Sequence, residues 1–265
     1  MAKKKVLLVG ESWVSASVHY KGFDQFSSAS SHSGAQPLTA ALATSSFELV
    51  HMRSQDAVQS FPFDEAGLDP FAAIILSDIG SNSFLLPEQV WLRGETVPNR
   101  LKLIRDWTAK GRGLVMVGGY LSFQGIDGRA RWRRTAVEEA LPVECLPYDD
   151  RVEIPEGMRA EIVESHHPVL AGVGADWPVL LGLNEVRAKS GAGIRTIARA
   201  PEEQGGHPLL VVGPFGKGRS AAWTSDIGPH WLPNRFAAWP GFAHLWSNLL
   251  TWVTDITETR RWPIQ

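Results

Sequence analysis

The first half of the chain alternates two hydrophobic patterns. Continuous apolar runs recur in "KKVLLVG", "FAAIILSD" and "GLVMVGG", the pattern of buried strands, with the first expected to be central in its sheet, and "FELVHM" reads as a further strand. Between them, "AQPLTAALATS" places Leu38 and Leu42 at helical spacing, and "NRLKLIRDWTAKG" does the same with Leu101, Ile104 and Trp107 before a capping Gly111. "ARWRRTAVEEALP" predicts a further helix stopped by Pro142. Strand and helix in alternation imply right-handed crossovers and a mostly parallel sheet with helices on both faces, an α/β fold.

The second half changes texture. Short β-prone runs in "RAEIVESHHPVL", "AGIRTIARA" and "HPLLVVGPFGKGRSAAWTSD" alternate with Gly and Pro turns, and "PFGKG" reads as a hairpin connection. "GFAHLWSNLLTWVTDI" has the spacing of a final helix against the sheet. There is no internal repeat, and residues 1–265 read as a single domain.

In such sheets ligands bind beyond the carboxyl ends of the strands, beside the point where strand order reverses. Glu11 and Ser12 follow the first run, Asp78 the third, Gly119, Tyr120 and Ser122 the fourth, and Asp226, His230 and Trp231 follow "SAAWTS". The long polar stretch "ESWVSASVHYKGFDQFSSASSHSG" is expected to be a functional loop adding Trp13, His19, Lys21 and Asp24 to the same pocket. A charge directly after a buried strand is costly unless paired or used, so Glu11 either salt-bridges Lys21, bonds nearby backbone, or serves a ligand.

Charge and cysteine content narrow the possibilities. Lys plus Arg number 26 against 28 Asp plus Glu, leaving no basic field for nucleic acid. The apolar run in "MAKKKVLLVGES" is too short for a secretory signal, and no segment reaches membrane-span length, so a cytoplasmic location is expected. Cys145 is the single cysteine, so neither an internal disulfide nor a thiolate metal cage can form. Eleven tryptophans include Trp223, Trp231, Trp239, Trp246, Trp252 and Trp262 near the C-terminus; they fill the core or form the interface of a homo-oligomer.

The loop motif Gly10 to Trp13 with His19, Lys21, Gly22, Asp24 and Phe26, together with "SDIGPHW" (Ser225 to Trp231) before a tryptophan-rich helix, resembles the class I glutamine amidotransferase-like superfamily. The resemblance is to a branch of cytoplasmic proteins that brings no demonstrated reaction. It implies a flavodoxin-like three-layer sandwich, with extra hairpins in the second half. Amidotransferases of the superfamily place a cysteine in a Gly-x-Cys-x-Gly elbow, with elbow amides holding the oxyanion, and a His-x-Glu pair after a late strand. Here the elbow reads Gly118, Gly119, Tyr120, Leu121, Ser122, so Tyr120 stands at the nucleophile position, while His230 is followed two residues later by Leu232. Cys145 lies after the following helix rather than at the turn.

The catalytic candidates are therefore Tyr120, His230 and Glu11, with Tyr120 either a hydrogen-bonding or acid–base group or a ring capping the pocket. His19 and His230 with Glu11 or Asp226 do not match a recognised metal signature, "SHHP" (His166, His167) reads as a turn, and "GPFGKG" lacks the helix start of a phosphate loop. The basic residues Arg129 to Arg134 are expected to be solvated or paired with Glu138 and Glu139. No cofactor is expected. The leading expectation is a site for a small polar ligand, sugar-like or amino-acid-like, without thiol-dependent glutamine hydrolysis. The alternatives are a homo-oligomeric scaffold built on the tryptophan-rich end, or an amidase using Ser122 or Cys145 within reach of His230.

Overall fold

The computed structural model describes residues 2–255; Trp262 lies outside the described residues. The elements in chain order are β1 (Lys4–Gly10), β2 (Ser12–Lys21), β3 (Asp24–Ser33), α1 (Gln36–Leu42), β4 (Phe47–Met52), α2 (Ser54–Ser60), β5 (Phe71–Ser77), α3 (Asn82–Leu85), α4 (Glu88–Trp91), α5 (Arg100–Ala109) and β6 (Gly113–Val117). They continue with α6 (Ala136–Ala140), β7 (Val143–Cys145), β8 (Arg151–Met158), β9 (Glu161–Ile162), β10 (Leu180–Asn184), β11 (Val186–Ala188), β12 (Arg195–Arg199), β13 (Pro208–Phe215), β14 (Gly218–Trp223), α7 (Asn234–Ala237) and α8 (Pro240–Thr254).

The main sheet has eight strands in the order β4-β1-β5-β6-β14-β13-β12-β9. From β4 to β14 the pairs are parallel, and β13, β12 and β9 extend the sheet antiparallel. The four expected strands are β1, β4, β5 and β6; β4, at the sheet edge, buries only Phe47. From β1 the chain steps outward to β4 and then returns to the opposite flank of β1 at β5, so strand order reverses between β1 and β5. Gly10 and Ser77 are register partners there, which sets the next residues, Glu11 and Asp78, side by side at the switch point.

Helices cover both faces. Leu38 and Leu42 of α1 join Leu245, Trp246, Leu249 and Val253 of α8 on one side; Ala57 of α2 joins Leu101, Ile104 and Trp107 of α5 on the other. Helix α5 begins where Asn99 accepts from the amides of Leu101 and Lys102, and α6 begins where Thr135 Oγ1 accepts from Glu138 N at 3.3 Å.

Three expectations need correction. The helix expected from Ala130 starts only after Thr135: Arg131 and Arg134 have φ of 59° and 61°, while Trp132 turns inward to donate from Nε1 to the carbonyl of Ile79 at 2.9 Å. Glu139 pairs with Arg105 instead of the 129–134 cluster. The tryptophan-rich end is not an exposed interface, because Trp223, Trp231 and Trp246 are buried within the chain and Trp239 and Trp252 are half-buried. Trp223 meets Trp177, Phe236 and Trp246 in tilted and edge contacts, the geometry that aromatic quadrupoles favour.

The third correction concerns the long polar stretch. It is a two-stranded antiparallel arm, with every pair from Ser12↔Ser33 to Lys21↔Asp24 in unbroken register. Gly22, at φ 65°, supplies the left-handed residue a two-residue hairpin turn needs. Beyond Ser12 all arm residues through Ser33 are exposed.

Candidate functional site

The carboxyl ends of β1, β5, β6 and β14 lie side by side, since Gly10↔Ser77, Ser77↔Val117 and Val117↔Trp223 are register partners. The residues that follow form one cluster of carboxylates and aromatic rings. Two of them are strained: Glu11 and Asp78 have φ of 49° and 43°, a region that L residues other than glycine seldom occupy outside functional sites and tight turns.

Glu11 is 3% exposed, and its Oε2 accepts from Ser77 Oγ at 2.6 Å. Gly34 lies against its other oxygen; a Cβ there would sit 2.0 Å from Oε1, so glycine lets the arm's root close over the carboxyl. Burial, reinforced by the nearby charge of Asp226, pushes the Glu11 carboxyl well above the usual range.

Asp78 clamps the elbow from the next strand. Its Oδ1 accepts from Leu121 N at 2.7 Å, and its own amide donates to Ser122 Oγ at 3.1 Å. Burial raises the Asp78 carboxyl to about 6, against the lowering effect of the Leu121 bond. Gly118 donates to the carbonyls of Trp223 and Ser225 at 2.7 and 2.9 Å; a Cβ there would meet Thr224 O at 2.0 Å, so this approach of β6 to β14 requires glycine.

Asp226 is 5% exposed and accepts at Oδ1 from the amides of Ile227 and Gly228. Its Oδ2 lies 3.4 Å from His230 Nδ1, so Asp226 orients the ring although Leu232 occupies the family's usual glutamate position. His230 stacks on Trp231 at 4.8 Å between centroids and meets Tyr120 edge-on at 4.0 Å.

Tyr120 is not a strained nucleophile, since it is absent from the residues at positive φ. The Arg151 guanidinium lies over its ring at 4.6 Å, and its hydroxyl interacts with Glu153 and Arg151; burial and then Glu153 push the pKa of the phenol up, making it a weaker acid. The polar partners of its hydroxyl are thus Glu153 and Arg151, while its ring meets His230.

Several contributors were not foreseen. Asn184, at the end of β10, bonds both backbone groups of Gly119 and also donates to Asp150. Asp150 accepts from the amides of Gln124 and Gly125 and, through burial, is raised to about 6. Trp231 donates to Glu153 Oε2 at 2.8 Å. A polar residue closing the buried run "LLGLN" was the available signal for Asn184; nothing local marked Asp150, Arg151 or Glu153.

Other expected site residues lie elsewhere. Ser12 turns to α2, accepting from Ser54 N at 2.8 Å. Trp13 stacks on His32, and His19, Lys21 and Asp24 sit at the far end of the arm. Ten residues of strand reach about 30 Å, so Lys21 cannot pair with Glu11, nor His19 share an ion with His230, within one chain. Cys145 is buried on β7, its amide bound to Glu138 and its thiol pushed well upward by burial. His230 makes its polar contact with Asp226 rather than with Ser122 or Cys145. His167 is a buried turn residue accepting from Val169 N, pushed down to about 4 by burial. An open groove of about 600 Å³ is lined by Arg159, Asp176, Pro178, Arg235, Ala238 and Trp239, none of which belongs to the strand-end cluster. No helix among the described residues is long and apolar enough to cross a membrane.

Comparison with known proteins places this architecture. Cytoplasmic Protein STM3548 from Salmonella typhimurium shares 38% identity, with a TM-score of 0.87 over 94% of this chain and 98% of its own. Cytoplasmic Protein STM1381 from Salmonella typhimurium LT2 shares 37% identity and the same TM-score of 0.87, over 95% and 100%. A "Putative thua-like protein" from Bacteroides uniformis has the fold alone, at 12% identity and a TM-score of 0.58 over 94% and 91%. No curated protein matches the chain. The family described as "Putative glutamine amidotransferase" matches residues 5–255, and with that span the chain belongs to the glutamine amidotransferase-like family.

Proposed function

We propose that the strand-end cluster binds a small polyhydroxylated, sugar-like molecule and that the chain does not hydrolyse glutamine by thiol chemistry. The observation that carries this reading is the Leu121 to Asp78 bond at 2.7 Å. The amide one residue past the nucleophile position is the donor an acyl-transfer elbow offers to a developing oxyanion. A carboxylate already occupies it, and an anion brought there would meet like charge.

The remaining groups suit recognition. Glu11, whose carboxyl burial pushes well above the usual range, and Asp226 offer carboxyl groups to the hydroxyls of such a molecule. Tyr120 and His230 supply aromatic edges at the mouth of the cluster, with the buried Trp231 stacked behind His230. The same reading takes residues 1–265 as one flavodoxin-like domain, supported by parallel strands in the order second, first, third, fourth, fifth. It also takes the location as cytoplasmic, as the names of the two Salmonella proteins say of those proteins.

The test is a thermal-shift screen of the purified protein against monosaccharides, sugar phosphates, amino acids including glutamine, and divalent metals, with Glu11→Ala and His230→Ala alongside. A ligand that binds only the native state raises the melting temperature by mass action. A sugar that stabilises wild type and neither variant supports the reading. Stabilisation by an amino acid alone transfers the site to an amine-bearing ligand. No shift in wild type, with both variants folded, removes the pocket as a ligand site.

A further inference from the structure

The arm formed by β2 and β3 presents an unusual surface. A two-stranded ribbon is marginal in water by itself, and proteins protect exposed strand edges with charge, proline or bulges. This arm has none of these along its length: its register runs unbroken through ten pairs, it contains no proline, and Lys21 and Asp24 at the tip are its only Lys, Arg, Asp or Glu residues. One face carries Val14, Ala16, Val18 and Tyr20 opposite Ala29 and small or polar partners. Tyr20 is 74% exposed and Phe23 fully so. Such a surface is built to be covered.

Its two ends identify the cover. At the root, the cluster of Glu11, Asp78 and Asp226 makes no ion pair with Lys or Arg among the described residues; His230 Nδ1 lies 3.4 Å from Asp226 Oδ2. At the tip, Lys21 likewise forms no ion pair among the described residues, and its ammonium rests 5.9 Å over the Phe26 ring. His19 stacks on the same ring at 4.5 Å. The Lys21 ammonium, with Asp24 opposite it at the tip, and the carboxyl cluster at the root are about 30 Å apart along the ribbon, so a contact between Lys21 and such a cluster forms between copies. The rim at the elbow offers matching apolar contacts in Leu121, 37% exposed, and Tyr148, 50% exposed. Strands of ten residues each with their turn come close to the roughly 20 to 30 residues that one side of a stable interface contributes.

We propose that the arm of one copy lies across a second copy of this chain and seats its tip over that copy's strand-end cluster, bringing Lys21 and His19 beside Glu11, Asp78 and Asp226. The site is then completed in trans. This inference rests on the cluster being a functional site, but its test needs no ligand, so it can fail while ligand binding stands, and the reverse.

The experiment uses the full chain. Sedimentation velocity at tens of micromolar is compared for wild type, for Tyr20→Asp/Phe23→Asp, and for a chain in which Val14 is joined to Ser31 through two glycines. Circular dichroism confirms that each is folded. In parallel, tagged Phe23→Cys is mixed with untagged Leu121→Cys and treated with a flexible bis-maleimide; the native Cys145 is buried and unreactive. The expected result is an oligomer for wild type, a shift to monomer for both arm variants, and a covalent tagged–untagged dimer from the mixture. A monomeric wild type, or an oligomer that survives arm removal, overturns the proposal. Arm-dependent assembly without the mixed cross-link overturns the seating of the tip on the site.

Discussion

In the elbow after β6, the amide of Leu121 donates to Oδ1 of Asp78 at 2.7 Å, which ties the third parallel strand to the fourth; under the proposed reading this amide is the donor an acyl-transfer site would need free. Restoring the thiol is therefore not sufficient to restore the chemistry. Tyr120→Cys is expected to release no ammonia from glutamine above the wild-type background. The variant has a nucleophile but no free oxyanion donor and no glutamate at position 232. A coupled ammonia assay over hours at high enzyme concentration checks this; measurable turnover would show that Asp78 yields the amide to substrate.

The same aspartate sets a pH dependence. Burial raises its folded carboxyl to about 6, above the value near 4 of an exposed aspartate. The folded state therefore holds this proton longer than the unfolded chain does. The stability associated with it is fully present below about pH 4, is lost as pH rises through about 6, and changes no further above that. Asp78→Asn keeps an acceptor for Leu121 and does not titrate. Its melting temperature relative to wild type is expected to climb between pH 4 and 6 and then level off. Asp150, also raised to about 6, is present in both proteins and cancels in the difference. A flat difference across the window would contradict the raised pKa of the buried Asp78 carboxyl.

Asn184 offers a test of how the elbow is held. Its side chain is fully buried and bonds Gly119 N, Gly119 O and Asp150 Oδ1 at 2.9, 3.2 and 2.8 Å. Asn184→Ala leaves these groups without that partner, and a buried polar group left unpaired costs about 1–3 kcal/mol. A loss on the order of 3 kcal/mol is expected in urea unfolding, with an unchanged dependence on denaturant. A loss under about 0.5 kcal/mol, the scale of an ordinary surface change, would mean that water replaces the amide without penalty.

These residues show where sequence reading succeeds and where it stops. Strands β1, β5 and β6 announce themselves because both faces are buried, so the residues immediately after them, Glu11, Asp78 and Tyr120, could be named as neighbours before any coordinates. The arm hid although Val14 to Lys21 alternates apolar and polar residues as a strand does: both of its faces are exposed, its serine-rich partner strand carries little apolar signal, and Gly22 was its one turn signal. As a result His19, Lys21 and Asp24 were placed in a pocket from which their own backbone carries them away. Asp150 and Asn184 were missed for a different reason. They reach the elbow through β8 and β10, whose short runs do not reveal their pairing.

The tryptophans of the C-terminal half were open to two readings, and their burial favours the core. Trp246 is fully buried on α8 against Trp223 and Phe242, whereas Trp91 on α4 is 70% exposed. Replacing a buried aromatic by alanine removes its transfer free energy and leaves a cavity, together about 3–5 kcal/mol. Most exposed substitutions stay within about 0.5 kcal/mol. Trp246→Ala is therefore expected to lower the unfolding midpoint steeply while leaving the sedimentation of the folded fraction unchanged, and Trp91→Ala is expected to change neither. The pairing of measurements decides the matter. If Trp246→Ala left stability intact but altered the assembly state, the ring would belong to an interface, and the aromatic cluster around Trp223 would have to be read as a surface that a partner completes.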